Sequence, residues 1–165
     1  MKRNYNFNWF GRRRPSVAIT KDKNIITHGL DLEQIHVYDS SGELKYSFPT
    51  KESGVYSLTI SDENEIIAAG MYSKFVYIYT EEGNEKKKFE VLEDHKVLDL
   101  AFNHVTKEVI VLTKVDRKEY WISSYSTTGE KQSAQSLGSA WSTSLTSHPS
   151  GPVALRQSNS VLYIQ

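Results

Sequence analysis

The chain has 165 residues and carries 20 basic and 20 acidic side chains, so its formal net charge is zero. It therefore lacks the overall basic excess that is typical of nucleic-acid modules. It contains no Cys, which excludes disulfides and thiolate metal sites, and no apolar run suggests a signal peptide or a membrane span, so we expect a cytoplasmic chain.

The chain begins with a segment that predicts a strand over 4–11, which is followed by the basic run Arg12, Arg13 and Arg14. Four pairs of short apolar strands come after it. Each pair is an apolar strand, a polar turn and a second apolar strand. The pairs begin near Val17, Ser57, Leu98 and Ser144. Their runs are too short and too rich in β-branched residues for helices.

A third alternating strand follows each pair, and in the first three units it leads to a polar turn that ends in Gly and to a polar fourth strand. Gly83 follows Gly42 by 41 residues, and Gly129 follows Gly83 by 46. The final strand, 161–165, fits the same pattern. A repeat of about 40–45 residues is the length of a four-stranded propeller blade.

These observations predict an all-β fold, a β-propeller of about four four-stranded blades in a single domain over 1–165. We place the blades at approximately 15–50, 54–92, 95–137 and 140–165, with the N-terminal strand at 4–11. The lysine-rich stretch 86–95 is also compatible with a short charged helix, but the repeat favours an outer strand. Three arrangements stay open: a small closed ring, a ring completed by a second copy, and a part of a larger propeller.

The first blade has a recognisable pattern. Pro15-Ser16-Val17-Ala18-Ile19-Thr20, then Asn24-Ile25-Ile26, then the segment 34–48 around Gly42 resemble the NHL repeat. NHL repeats form the propeller at the end of many tripartite-motif proteins. The chain departs from the family after the second strand, where Thr27-His28-Gly29 stands in place of the usual Asp. The last blade, with His148-Pro149-Ser150-Gly151, is equally similar to a WD-repeat blade. The resemblance implies a scaffold or substrate-recognition role, and some NHL propellers bind RNA.

The sequence contains no catalytic motif. Its five histidines are not at ligand spacing, and its carboxylate clusters lie in predicted turns, where they are solvated. We therefore expect no catalytic residues, no metal and no cofactor. An enzyme that assembles a metal in the central channel stays an alternative, because residues from several blades can meet there.

Basic and aromatic residues recur in the connections that enter the inner strands and in those between second and third strands. In a propeller these connections share one face. The predicted binding face contains Arg12, Arg13, Arg14, Lys51, Tyr72, Lys74, His95, Arg117, Lys118, Trp141, Arg156 and Gln157. We predict a non-catalytic protein–protein interaction scaffold, with RNA binding as the alternative, and homo-oligomerisation through pairing of the end strands.

Overall fold

The structure is a computed structural model that describes residues 16–28, 33–51, 54–70, 72–116, 119–139, 142–148, 152–157 and 160–164. These ranges contain strands and turns and no helix. The strands are β1 (Val17–Ile19), β2 (Ile25–His28), β3 (Gln34–Tyr38), β4 (Leu44–Pro49), β5 (Val55–Ile60), β6 (Ile66–Gly70), β7 (Phe75–Tyr79), β8 (Glu85–Glu90), β9 (Lys96–Asn103), β10 (Glu108–Val115), β11 (Glu119–Ser126), β12 (Lys131–Gly138), β13 (Ser142–Thr146), β14 (Val153–Gln157) and β15 (Ser160–Ile164).

Consecutive strands pair into four antiparallel sheets. Blade 1 is β1–β4, blade 2 is β5–β8, blade 3 is β9–β12 and blade 4 is β13–β15. This arrangement confirms the predicted all-β, four-blade propeller. The lysine-rich stretch forms the outer strand β8 and not a helix. The predicted N-terminal strand 4–11 lies outside the described residues.

The apolar core lies between neighbouring blades. Ile26 and Val37 of blade 1 pack with Leu58 and Tyr79 of blade 2, and similar clusters join blade 2 to blade 3 and blade 3 to blade 4. The second strand β6 is buried along its whole length, whereas β8 buries only Phe89. In blades 2 and 3 the inner strands are thus apolar and buried, and the outer strand is polar because it borders solvent along its length.

The three glycines of the repeat close equivalent hairpins between third and fourth strands. Gly42, Gly83 and Gly129 have φ values of 84°, 89° and 87°. In each hairpin the glycine N–H donates to the carbonyl three residues earlier at 3.0 Å. Glycine adopts this positive φ without a steric penalty, which explains its recurrence at this position.

Two of these hairpins, at Gly83 and Gly129, also receive an aromatic side chain from the preceding blade. Phe48 packs over Gly83 and lies 5.6 Å from the Tyr79 ring, measured between ring centroids. Phe89 packs over Gly129 in the same way, 5.0 Å from the Tyr125 ring. A side chain at either glycine would occupy the space of the phenylalanine, so the hairpin fixes the spacing between blades at their outer edge.

Hydrogen bonds between first strands fix the same spacing at the inner edge. The hydroxyl of Ser16 accepts the N–H of Leu58 at 3.1 Å, and the hydroxyl of Ser57 accepts the N–H of Leu100 at 3.0 Å. Asp99 takes the place of the serine in blade 3, and its carboxylate accepts the N–H of Leu145 in blade 4 at 2.8 Å. One polar side chain per blade therefore satisfies a main-chain donor of the next.

Substitution of Gly129 tests the contact at the outer edge. Gly129→Ala places a methyl group 2.7 Å from Cβ of Phe89 at a φ of 87°. We expect the free energy of unfolding to fall by about 3 kcal/mol, from backbone strain and overpacking together. Gly138→Ala is the matched control, since Gly138 has a φ of 66° and nothing within 4 Å of the added carbon. It should cost only about 1 kcal/mol. Equal losses in urea denaturation would contradict the role of Phe89.

Candidate functional site

The antiparallel hairpins divide the loops of the propeller between two faces. Connections between second and third strands and those between blades lie on one face, called here the loop face, which includes residues 33, 50–51, 72–74, 91–95 and 116. The other connections form the turn face, which includes residues 20–24, 39–43, 61–65, 80–84, 104–107 and 127–130.

The loop face contains several residues of the predicted binding face. Lys51, Tyr72 and Lys74 lie in its connections, and Arg156 is exposed near the end of β14 on the same side. Gln157 ends that strand. The remaining predicted residues lie outside the described ranges: Arg12, Arg13, Arg14, Arg117, Lys118 and Trp141.

Tyr72 is the most distinctive residue on this face. Its φ is 63°, a left-handed conformation that bulky side chains rarely adopt. Its side chain is 43% exposed, and Nζ of Lys114 lies 4.5 Å from the ring centroid. Such backbone strain costs about 1–3 kcal/mol and is concentrated at functional sites.

Blade 3 holds the Tyr72 turn in place. The N–H of Tyr72 donates to the carbonyl of Val97 at 3.0 Å, and the N–H of Val97 donates to the carbonyl of Ser73 at 2.9 Å. The turn between β6 and β7 is therefore hydrogen-bonded to the first strand of the next blade. These two bonds position an exposed aromatic ring on a rigid part of the scaffold.

His95 also belongs to a loop-face connection, but its side chain points inward. It is 7% exposed, its Nδ1 lies 2.8 Å from Oγ1 of Thr113, and its ring meets the Trp121 ring edge-on at 5.4 Å. Burial lowers the pKa of His95, while the carboxylates of Glu119 and Asp94 act in the opposite direction. The neutral ring packs beneath the connection between β8 and β9. His95 is therefore not part of the exposed binding surface.

A polar network that the sequence analysis missed connects the turn face of blades 1 to 3. Asp62 accepts a hydrogen bond from Nδ1 of His104 at 2.6 Å and pairs with Lys107. One blade earlier, the amide of Asn64 donates to Asp22 at 2.9 Å. Both pairs span 42 residues, one repeat length, and this spacing is the signal that could have revealed them.

Three described groups of the turn face, His104, Asp39 and Glu82, have pKa values that are lowered from their ordinary values. Burial lowers the pKa of His104, and the charge of Lys21 lowers it further, so that ring is neutral at pH 7 and donates to Asp62. Hydrogen bonds from Ser41 lower the pKa of the Asp39 carboxyl, and one from Thr80 does the same for Glu82. These carboxylates stay ionised at the surface, where they act as solvated charges.

The first strands of the four blades surround a cleft of about 750 Å³. Its polar lining includes Tyr56, Asp62, Asp99, His104 and Ser144. Hydroxyls and carboxylates of this kind can hold a polar ligand or water. Among the described residues no group of three His, Asp or Glu is arranged to bind a metal ion. The same ranges contain no helix long and apolar enough to cross a membrane.

Neither a protein-family model nor a curated protein matches the chain. The solved structures that are similar to it include three at 11–12% sequence identity. The β-propeller domain of Myceliophteria thermophila Cps50 (Swd1) has a TM-score of 0.68, with 91% of this chain and 53% of that chain covered. A streptogramin B lyase has a TM-score of 0.63, with 84% of this chain and 46% of that chain covered. Kuenenia stuttgartiensis hydrazine synthase has a TM-score of 0.70, with 87% of this chain and 44% of that chain covered. The chain spans about half the length of these proteins, and at this identity the similarity shows the β-propeller fold alone.

His95, which is buried, and His104, which is half-buried, predict how stability depends on pH. Because the folded-state pKa values of His95 and His104 lie below the ordinary value of 6.5, the unfolded chain binds protons that the folded chain does not. We expect the thermal midpoint to fall as the pH is lowered from about 7.5 to about 5.5.

The double variant His95→Asn and His104→Asn keeps a polar atom near Thr113 and Asp62 but removes the titration. Its thermal midpoint should change less over the same pH interval. A double variant as pH-sensitive as the wild type would show that other groups control the dependence.

Proposed function

We propose that the chain is a non-catalytic protein–protein interaction module that binds its partner on the loop face around Tyr72. One observation carries the proposal. A bulky aromatic residue is held at positive φ with its side chain 43% exposed and the Lys114 ammonium against its ring. A conformation that costs stability at an exposed position is better explained by binding than by folding.

The surroundings of Tyr72 fit a binding hot spot. Tyrosine is enriched among residues that dominate the energy of protein interfaces, and functional residues commonly lie in loops that a rigid scaffold positions. The ammonium of Lys114 above the ring supplies a cation, and Lys51, Lys74 and Arg156 add charge at the margin. Charges at the margin of an interface steer association and select partners.

Family resemblance points in the same direction. The first blade resembles an NHL repeat, whose propellers in tripartite-motif proteins recognise substrates and serve as scaffolds. The fold is shared with the Cps50 (Swd1) propeller domain. These features support a scaffold role in a substrate-recognition setting.

Replacing Tyr72 should separate binding from stability. Tyr72→Gly relieves the backbone strain and removes the Lys114 contact, so we expect the free energy of unfolding to stay within about 1 kcal/mol of wild type. Partner affinity should fall about 30-fold or more, as for a hot-spot tyrosine. Proteins retained from a lysate of the source cells by immobilised chain, quantified by mass spectrometry, would measure the loss.

Val105→Gly is the control for this experiment, because Val105 is 64% exposed on the turn face of blade 3. It should retain the same partners as the wild type. If Tyr72→Gly retains them as well, the partner binds elsewhere and the proposed surface is wrong.

RNA binding is the second candidate, and the Tyr72–Lys114 pair favours it. An exposed aromatic ring beside a cation is the combination on which single-stranded bases stack while the phosphate is neutralised. A mobility-shift assay with random RNA pools at low salt should then show binding that weakens steeply with salt. Binding should decrease both in Tyr72→Gly and in the triple variant Arg12→Ala, Arg13→Ala and Arg14→Ala. The absence of a shift at low salt would remove this candidate.

A further inference from the structure

Two lysines lie directly opposite each other next to Tyr72 on the loop face. In blade 3, Lys96 of β9 pairs with Lys114 of β10 at the last position of the ladder. Residues directly opposite on antiparallel strands have Cβ atoms about 4.5–5.5 Å apart, and their side chains share one face of the sheet. Like charges in this arrangement repel each other, so the pair costs stability.

No carboxylate among the described residues neutralises this lysine pair. None of the ion pairs in that part of the chain includes Lys96 or Lys114. Lys96 is exposed and Lys114 is half-buried. The contact that Lys114 makes is with an aromatic ring, since its Nζ lies 4.5 Å from the centroid of the Tyr72 ring. The pair therefore presents two positive charges without a negative partner.

The main chain holds Tyr72 beside the lysine pair. Val97, which directly follows Lys96, exchanges two hydrogen bonds with the turn at 72–73, at 3.0 and 2.9 Å. On the other side of the pair, Tyr120 of β11 lies opposite Lys114 and is half-buried. The two positive charges are thus placed between two tyrosines on hydrogen-bonded segments. Such a site is arranged before any partner arrives, which lowers the entropic cost of binding.

Carboxylates flank the lysine pair and limit the extent of its positive charge. Asp94 precedes β9, Asp116 follows β10 and Glu119 begins β11, and all three are exposed. Glu119 is directed to the outer strand, where its Oε1 accepts the hydroxyl of Ser136 at 3.0 Å. Like charges that meet across an interface disfavour a partner, so these acids repel a long polyanion such as a nucleic-acid backbone. A short group of negative charges in a peptide fits the surface better.

We propose that the loop face binds a peptide segment of a partner protein with adjacent acidic side chains, whose carboxylates lie between the ammonium groups of Lys96 and Lys114 while Tyr72 packs against the rest of the segment. The inference rests on the proposed interaction function and specifies the chemistry of the partner. Hydrogen bonds between ammonium and carboxylate groups are about twice as strong as those between neutral groups. Binding also removes the repulsion within the lysine pair.

A library of random peptides displayed on phage, selected on the immobilised full chain at neutral pH, tests the proposal. We expect the selected peptides to be enriched in neighbouring Asp and Glu relative to the unselected library. Their dissociation constants should rise about 30-fold or more for the double variant Lys96→Glu and Lys114→Glu. The same variant should select peptides rich in Lys and Arg from the library.

The double variant Lys87→Glu and Lys131→Glu is the matched control. It changes the net charge by the same amount, at two exposed positions on the outer strands β8 and β12. It should bind the peptides selected by the wild type with unchanged affinity. An equal loss of affinity in the control would show that only the overall charge matters, and would overturn the proposal.

A neutral variant separates binding from a structural role of the lysines. Lys96→Gln removes the repulsion within the pair, so the thermal midpoint should rise by about 1–3 °C while the affinity for acidic peptides falls. A fall in both the thermal midpoint and the affinity would indicate that Lys96 acts through the fold, and would contradict the proposal.

The outcomes also distinguish this inference from the proposed function on which it rests. Selected peptides that bind Tyr72→Gly weakly but show no excess of acidic residues would overturn the inference and leave the loop face as the binding surface. Peptides that bind Tyr72→Gly as tightly as the wild type would overturn both. Selection of no peptide, or binding of random RNA that depends on Lys96 and Lys114, would show that the occupant is not an acidic peptide.

Discussion

The packing of one blade against the next is the constraint on which the rest of this structure depends. A four-stranded sheet with apolar side chains on both faces can bury them only between two neighbours. Phe48 over Gly83 and Phe89 over Gly129 set the distance between blades at the outer edge, and serine or aspartate side chains set it at the inner edge. Each contact recurs at about the repeat length, so the stability of the propeller is close to a sum of neighbouring interfaces.

The same packing positions the surface that we assign to binding. The turn that carries Tyr72 belongs to blade 2, but its main chain is hydrogen-bonded to Val97 of blade 3. Those bonds offset the strain of the positive φ and keep the ring exposed. The binding residues on this face are consequently as fixed as the sheets. The propeller therefore loses little conformational entropy when it binds a partner.

Structural features that depend on a single turn or strand can be predicted from the sequence. Gly42, Gly83 and Gly129 mark hairpins because positive φ is a property of a single turn, and the period between them defines the blade. The burial of His95 and the bond between Asp62 and His104 depend on distances between blades, which neither the composition nor the periodicity of one segment contains. The exposure of Tyr163, which is 71%, depends in the same way on what lies beside its sheet and not on its own strand.

Asp99 shows how a polar side chain in the lining of the cleft contributes to the architecture of the propeller. One of its carboxylate oxygens accepts the hydroxyl of Ser57 at 2.6 Å, and the other accepts the N–H of Leu145 at 2.8 Å. A carboxylate whose two oxygens bridge three blades holds the inner strands together, because each oxygen satisfies a donor of a neighbouring blade. The polar residues of the inner strands thus maintain the spacing of the blades. The proposed binding surface lies instead on the loop face, where Tyr72 is exposed.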